Sequence, residues 1–282
     1  MGLLISNEDE FADVALVVGS LTTKGLIKPD QLLLVGARCR DLLHRELGHK
    51  TPIRRTDDID LGIAVESLSD YNKIVESFES TGTTGARFRV EGLVVDIMPF
   101  GPIEQPSGTV TLGSPYGSFS VEGFHSVWET SETVQLGPTV QVRVPRAAGY
   151  AVLKAHAYAD RAARYETKDA EDIATVLTWY RESEAVQNEL FGSKFGNAVL
   201  EQTDFDVPAA SAYVLGADML QALPISDQAA LRRTWSQCRD DVLIRNYSRR
   251  SPSMDAAPSV RSLRNALESE APGFRESQRW PV

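Results

Sequence analysis

The sequence predicts an α+β protein, with a mixed sheet flanked by helices in residues 1–145 and a helical C-terminal domain in residues 146–282. Three observations predict this. Short apolar runs ending in glycine, such as LLLVG at 32–36, alternate with helical stretches in the first half. Residues 101–145 are turn-rich and strand-like, as in TVTLGSPYGSFSVEGF and TVQLGPTVQVRV. After Pro145, apolar residues recur with a period near that of a helix, and Pro145 stands where a helix start would place it. A chain of 282 residues suits one large domain or two modest ones.

Taken in order, Ser6 or Asn7 can cap a helix that begins EDEFADVALVV and runs towards Ile27, with acids in its first turn where the helix dipole favours them. LLLVG is a buried strand. Residues 37–47 form a helix with Leu42, Leu43 and Leu47 on one face and Gly48 as its stop. IDLGIAV at 59–65 is a second strand, and SLSDYNKIVESFEST a capped amphipathic helix. Strand-like runs follow at 88–90 and 93–99, the latter stopped by Pro99 and Gly101. In the second half RAAGYAVLKAHAYADRAARY, KDAEDIATVLTWYRESEAV, AASAYVLGADMLQAL and SDQAALRRTWSQCRDDVL are expected helices. The Ser- and Pro-rich stretch at 245–259 is expected to be a linker, leading to a last short helix and a frayed tail.

Apolar residues are 42% of the chain and charged residues 24%, enough to bury a core and stay soluble. The net charge of −10 argues against generic nucleic-acid coating, because neutralising phosphates takes basic residues, though it allows a local basic groove. Cys39 and Cys238 lie far apart with no second ligand at zinc spacing, so reduced thiols are expected. The N-terminus lacks a basic segment and no apolar run could span a bilayer, which predicts a cytoplasmic protein. His44, His49, His125 and His156 have no metal-ligand spacing, and no Walker loop, G-x-S-x-G elbow or zinc-hydrolase motif is present.

Three pieces of the first half carry chemistry. Gly36, Ala37 and Arg38 follow a strand and open a helix. Glycine lets the backbone approach an anion, and a helix start presents N–H groups to phosphate; the same glycine can also serve only to turn the chain. In TDDIDLGIAV, Asp58 and Asp60 leave the same face of one strand, where like charges repel unless a cation holds them. Mg²⁺ takes such oxygen ligands and keeps room for phosphates. Asp96 stands among apolar residues, where an unpaired carboxylate is costly and needs a partner; its alternative role is to begin a turn before Pro99. If its strand lies beside that of Asp58 and Asp60, the three carboxylates converge on a metal centre.

Together these pieces resemble the nucleotidyltransferase superfamily related to DNA polymerase β. With Arg55-Thr56-Asp57-Asp58-Ile59-Asp60, VDIMPFG, Leu153-Lys154, Asp160-Arg161 and Lys168-Asp169-Ala170-Glu171-Asp172, the chain resembles the AbiEii/MenT-type nucleotidyltransferases of bacterial toxin–antitoxin and phage-defence systems, over roughly residues 30–180. The resemblance implies a polymerase β-like catalytic domain that binds a nucleoside triphosphate with Mg²⁺, or Mn²⁺. It transfers the nucleotidyl group to an acceptor hydroxyl and releases pyrophosphate. It implies an RNA acceptor such as tRNA, a cognate antitoxin protein as partner, and no membrane. Asp58 and Asp60 would hold metal; Asp96 would complete the metal site and help deprotonate the acceptor. Lys154 would contact the triphosphate, and Asp172, or in its place Asp169, would support the nucleotide pocket or Lys154. Gly36, Ala37, Arg38, Thr56, Lys154 and Arg161 make up the implied nucleotide-binding set. The superfamily's loop usually reads Gly-Ser; here it is Gly36-Ala37, with Arg38 as a charged donor in place of the hydroxyl.

In the second half, Lys154, Tyr158, Arg161 and Tyr165 fall at helical spacing and could form a face that closes over the nucleotide, the alternative being a snorkelling lysine. Asp169 is expected to be an acid of a helix first turn. Asp172, beside the stripe of Ile173, Val176 and Leu177, is expected to pair with Lys154 or Arg161. The pairs Arg54-Arg55, Arg161 with Arg164, Arg232-Arg233 and Arg249-Arg250 are solvated surface or, if gathered in one groove, an RNA track. Two other readings stand beside the RNA-modifying enzyme: a nucleotidyltransferase acting on a small molecule or protein, and a non-catalytic antitoxin or interaction module on the same scaffold.

Overall fold

The computed structural model describes residues 3–4, 10–23, 25, 27–50, 58–161 and 166–269. It divides into two compact units, Met1–Arg146 and Ala147–Val282.

The first unit is built on a mixed sheet of β1 (Leu3–Leu4), β2 (Leu32–Val35), β3 (Asp58–Ala64), β4 (Glu79–Ser80), β5 (Arg87–Val90), β6 (Leu93–Phe100), β9 (Glu132–Gln135) and β10 (Gln141–Val144). The spatial order is β1-β9-β10-β2-β3-β6-β5-β4, and β7 (Thr109–Gly113) and β8 (Gly117–Ser120) make a separate hairpin. All four residues of β2 are buried, as a continuous apolar run in a central strand should be. β2 runs antiparallel to β3, and β3 parallel to β6. In β3, Ile59, Leu61 and Ile63 are buried, and in β6 Val95 and Ile97 are; strand alternation therefore puts Asp58, Asp60 and Asp96 on the opposite face.

Helices α1 (Ala12–Thr23), α2 (Gly36–Glu46), α3 (Leu68–Val75) and α4 (Phe124–Thr130) complete this unit. The expected cap of the first helix at Ser6 or Asn7 lies outside the described residues. Ser67 caps α3 by accepting a hydrogen bond from the Asp70 amide. Buried Tyr71 of α3 donates to the Ile97 carbonyl of β6 at 2.9 Å, and its pKa is raised by burial and then by Asp96. This α3 is shorter than expected, because the chain turns into the edge strand β4. β6 runs through Pro99 to Phe100, since Pro99 sits opposite Ile63 and the chain turns only at Gly101, with φ of 100°. The turn-rich region also holds α4, which was not expected; Phe124 and Trp128 pack on Phe100, with ring centroids 5.8 and 6.0 Å apart.

The second unit holds α5 (Ala147–Arg161), α6 (Lys168–Glu182), α7 (Glu184–Gly192), α8 (Lys194–Gln202), α9 (Val207–Gln221), α10 (Ile225–Gln237), α11 (Asp240–Arg250) and α12 (Ala256–Glu268). α9 is buried along most of its length, and small residues let α12 come close: a Cβ on Gly216 would stand 2.6 Å from that of Ala266. Three expectations need correction. KDAEDIATVLTWYRESEAV is not one helix but breaks at Ser183, whose hydroxyl accepts from Val186 N and caps α7. The stretch SDQAALRRTWSQCRDDVL likewise breaks between α10 and α11. The expected linker at 245–259 is mostly helical, with α11 ending at Arg250 and α12 beginning at Ala256. Asp255 caps α12, and Pro258 falls in its first turn, where no amide donor is needed. Two of the serines that suggested a linker, Ser251 and Ser259, are buried, the latter on α12. The tail expected to fray lies outside the described residues beyond 269. Among the described residues no helix is long and apolar enough to cross a membrane.

His156 of α5 is buried, with Nδ1 2.9 Å from the Thr234 hydroxyl of α10. Burial lowers its pKa to about 4, with Asp227 opposing. An unfolded histidine titrates near 6.5. Between those values the unfolded chain binds a proton that the folded chain refuses, so stability falls as pH drops through this window, by on the order of 3 kcal/mol. Replacing His156 by Gln should flatten the slope of unfolding free energy between pH 6.5 and 4, measured by denaturant titration. An unchanged slope would assign the acid sensitivity to other groups.

Candidate functional site

Strand register assembles a charged face in the first unit. Asp60 of β3 aligns with Asp96 of β6, and Asp58 with Val94. Across the β5–β6 hairpin, Arg87 aligns with the same Asp96. Side chains at directly paired positions share a face, so Asp58, Asp60, Asp96 and Arg87 stand together. Arg87 donates from Nε to Asp96 Oδ1 and from Nη2 to Asp96 Oδ2, both at 2.7 Å. The same Nη2 reaches Asp58 Oδ2 at 3.3 Å. This fork is the bidentate geometry that arginine offers a carboxylate. The guanidinium pKa is raised, first by its hydrogen bond to Asp96, then by the Asp96 charge; burial opposes this, and Asp58 and Asp60 add to it. Asp96 therefore lies in a strand, not at a turn, and the partner it requires is an arginine that the sequence reading did not single out. Among the described residues, no three His, Cys, Asp or Glu side chains are grouped as a metal cage.

Asp60 lies against the start of α2. Val35 pairs with Asp60 across β2 and β3, and the next residue, Gly36, has φ of 63°. A Cβ at Gly36 would fall 1.8 Å from Asp60 Oδ2. Both the positive φ and the close carboxylate require glycine. Ala37 follows with a buried methyl group. Arg38 is engaged elsewhere: its guanidinium donates to the Glu10 carbonyl at 2.7 Å, pairs with Asp13 of α1, and sits 5.0 Å from the centre of the Phe11 ring. Thr56, Asp57, Arg54 and Arg55 lie outside the described residues.

In the second unit, α5 and α6 bring Lys154, Arg161, Asp169 and Asp172 together. Asp169 and Asp172 are buried, at 1% and 2% exposure. Lys154 Nζ donates to Asp169 Oδ1 at 3.2 Å and stands 2.7 Å from Asp172 Oδ2, at ion-pair range but outside hydrogen-bond geometry. Arg161 Nη1 donates to Asp169 Oδ2 at 2.6 Å. Burial works against the Arg161 charge, but Asp169 outweighs it and raises the pKa. Asp172 thus pairs with Lys154 as expected, while Asp169 is more than a first-turn acid, since it bridges both cations. Tyr158 does not extend the Lys154 face: it is buried and donates to the Arg239 carbonyl at 3.0 Å. Arg164 and Tyr165 lie outside the described residues. Of the basic pairs, Arg232 donates to the Leu267 and Ser269 carbonyls, satisfying the C-terminal end of α12.

Neither a scan against protein-family models nor a search of curated proteins finds a match to this chain.

Two outcomes follow from these contacts. Gly36→Ala should destabilise the first unit by about 1–3 kcal/mol, through positive φ and the collision with Asp60. Adding Asp60→Ala should return part of that loss in equilibrium unfolding, and strict additivity would show that the two positions do not touch. Lys154→Ala should cost about 3–5 kcal/mol, because it leaves two buried carboxylates facing only part of their counter-charge. A loss within ~0.5 kcal/mol, the range of a neutral surface change, would contradict the ion-pair assignment.

Proposed function

We propose that this chain is a divalent-cation-dependent nucleotidyltransferase of the polymerase β-like type, acting in the cytoplasm. The observation that carries the reading is the shared face of Asp58, Asp60 and Asp96 on adjacent strands, with Asp60 against the glycine that opens α2. The donor set fits Mg²⁺ or Mn²⁺: it is all carboxylate oxygen, and it already draws a cation, since Arg87 pairs with Asp58 and Asp96. Asp58, Asp60 and Asp96 would hold the ion. When bound, such an ion polarises the α-phosphoryl group and neutralises charge on the departing pyrophosphate.

The chain's own groups supply the rest. The start of α2 at Gly36 and Ala37 offers backbone amides to the phosphates, and the glycine allows close approach. Asp96 accepts the proton of the acceptor hydroxyl on an oxygen that Arg87 holds in this structure, so Arg87 gives up at least one of its two bonds. The acceptor oxygen bonds to the α-phosphorus, the bond to the bridging oxygen breaks, and pyrophosphate leaves. The resemblance to AbiEii/MenT-type enzymes points to RNA, such as tRNA, as acceptor and to a cognate antitoxin as partner. A second reading has one observation in its favour. If the Arg87 ion pairs are permanent, the same face is a structural network and the chain a non-catalytic interaction module.

To decide, the protein is incubated with each α-labelled nucleoside triphosphate and Mg²⁺ or Mn²⁺, offered total tRNA, protein and small-molecule acceptors in separate arms. Transfer to tRNA is expected, falling by about 10²-fold or more in Asp58→Asn and Asp60→Asn. Full transfer by Asp58→Asn would refute the site. Transfer only to protein or small molecules would keep the chemistry and change the acceptor.

A further inference from the structure

We propose that Arg87 is a positioning residue that changes partners: it pairs with Asp96 and Asp58 in the metal-free chain, yields them to the divalent ion, and then takes a phosphate oxygen of the nucleotide. The proposal rests on the nucleotidyltransferase reading above and adds to it the residue that sets the order of binding.

The geometry favours the exchange. Both Asp96 oxygens point to Arg87, and the nearest Asp58 oxygen shares the same Nη2. An ion placed among the three carboxylates needs those oxygens, and its charge repels the guanidinium beside them. The geometry also makes exchange feasible. The Arg87 side chain is 41% exposed, and partly exposed ion pairs are weakly held. Its anchor on β5 stays next to the face when the bonds open, because Arg87 remains paired with Asp96 through the backbone. A planar guanidinium released there has the geometry to hold phosphate oxygens. Charge balance agrees. Three carboxylates carry −3, of which one guanidinium offsets a single charge; a divalent ion offsets two, so the carboxylates depend less on Arg87 once the ion is bound and the guanidinium can turn to the anionic nucleotide.

A purely structural salt bridge predicts no loss of nucleotide affinity in the metal-loaded variant, so calorimetry of metal and nucleotide together separates the two. Mn²⁺ alone is titrated into the full chain, its Arg87→Gln variant and its Arg87→Lys variant. Arg87→Gln should bind Mn²⁺ about tenfold more tightly than the wild type, because competition is gone. In saturating Mn²⁺ it should bind a non-hydrolysable triphosphate analogue about tenfold more weakly, and Arg87→Lys should fall between. Both signs are required, and either one without the other overturns the change of partners. Mn²⁺ binding that is unchanged or weaker in Arg87→Gln overturns the inference while leaving the metal-dependent reading in place. No Mn²⁺ binding by any of the three overturns that reading and the inference with it. Should Arg87→Gln fail to fold, the wild type suffices: the Arg87 Nε–H resonance, protected by Asp96 in the metal-free chain, should be lost to exchange on saturation with Mg²⁺. Its persistence overturns the proposal.

Discussion

The alignment of Asp60 with Asp96 across β3 and β6 sets up an electrostatic conflict that shapes the first unit. Neighbouring strands lie about 4.8 Å apart. Two carboxylates at that spacing repel by roughly 3 kcal/mol if the effective dielectric constant is near 20. The strands cannot slip to relieve it. Ile59, Leu61, Ile63, Val95 and Ile97 are buried on the other face, and a one-residue shift would turn all of them towards the charged side. The hydrophobic core therefore holds like charges together, and positive charge has to come to them. Arg87 brings it from β5, while Gly36 makes room for the Asp60 carboxylate by having no side chain.

The second unit resolves a similar conflict differently. Asp169 and Asp172 lie one turn apart on α6 and are fully enclosed, so Lys154 and Arg161 are drawn in to match them. A buried network of this kind contributes little net stability compared with an apolar core, but losing one member leaves a charge that water cannot reach. Burial separates the two clusters in behaviour. The Arg87 face is open enough to trade one cation for another, whereas the Lys154 cluster belongs to the packing of α5 on α6. That packing also explains why Asp169 is more than a first-turn acid: its position would suit the helix dipole, but its environment demands an ion pair.

Arg87 was within reach of sequence reading. Glu91 and Gly92 form a two-residue hairpin turn, both with positive φ, and Arg87 and Asp96 are each four residues from it. What was missing was a reason to weigh Arg87, which stands just before the strand-like run at 88–90 and which alternation alone would make only a half-exposed residue. The breaks at Ser183 and before Asp240, and the helix hidden in 245–259, escaped for a related reason. Serine and proline act as breakers or as caps according to whether an apolar face follows that can be buried, and Val260, Leu263 and Leu267 supply that face. Arg38 and Tyr158 show the converse: a strand–helix junction placed the first near a site and helical spacing the second, and neighbours distant in sequence engaged them elsewhere.

By itself, the sequence determined the class of the fold, the central strands, and the common face of Asp58 and Asp60. Each of these follows from a local period, of two in strands and near 3.6 in helices, set by backbone geometry. Tertiary structure alone decided which charge meets which. The parallel pairing of β3 with β6 brought Asp96 beside Asp60, the hairpin brought Arg87 onto Asp96 and within reach of Asp58, and the packing of α6 against α5 enclosed Asp169 and Asp172 with Lys154. Electrostatic partners are chosen by distance in space, and in these three cases that distance is set by strand register and helix packing.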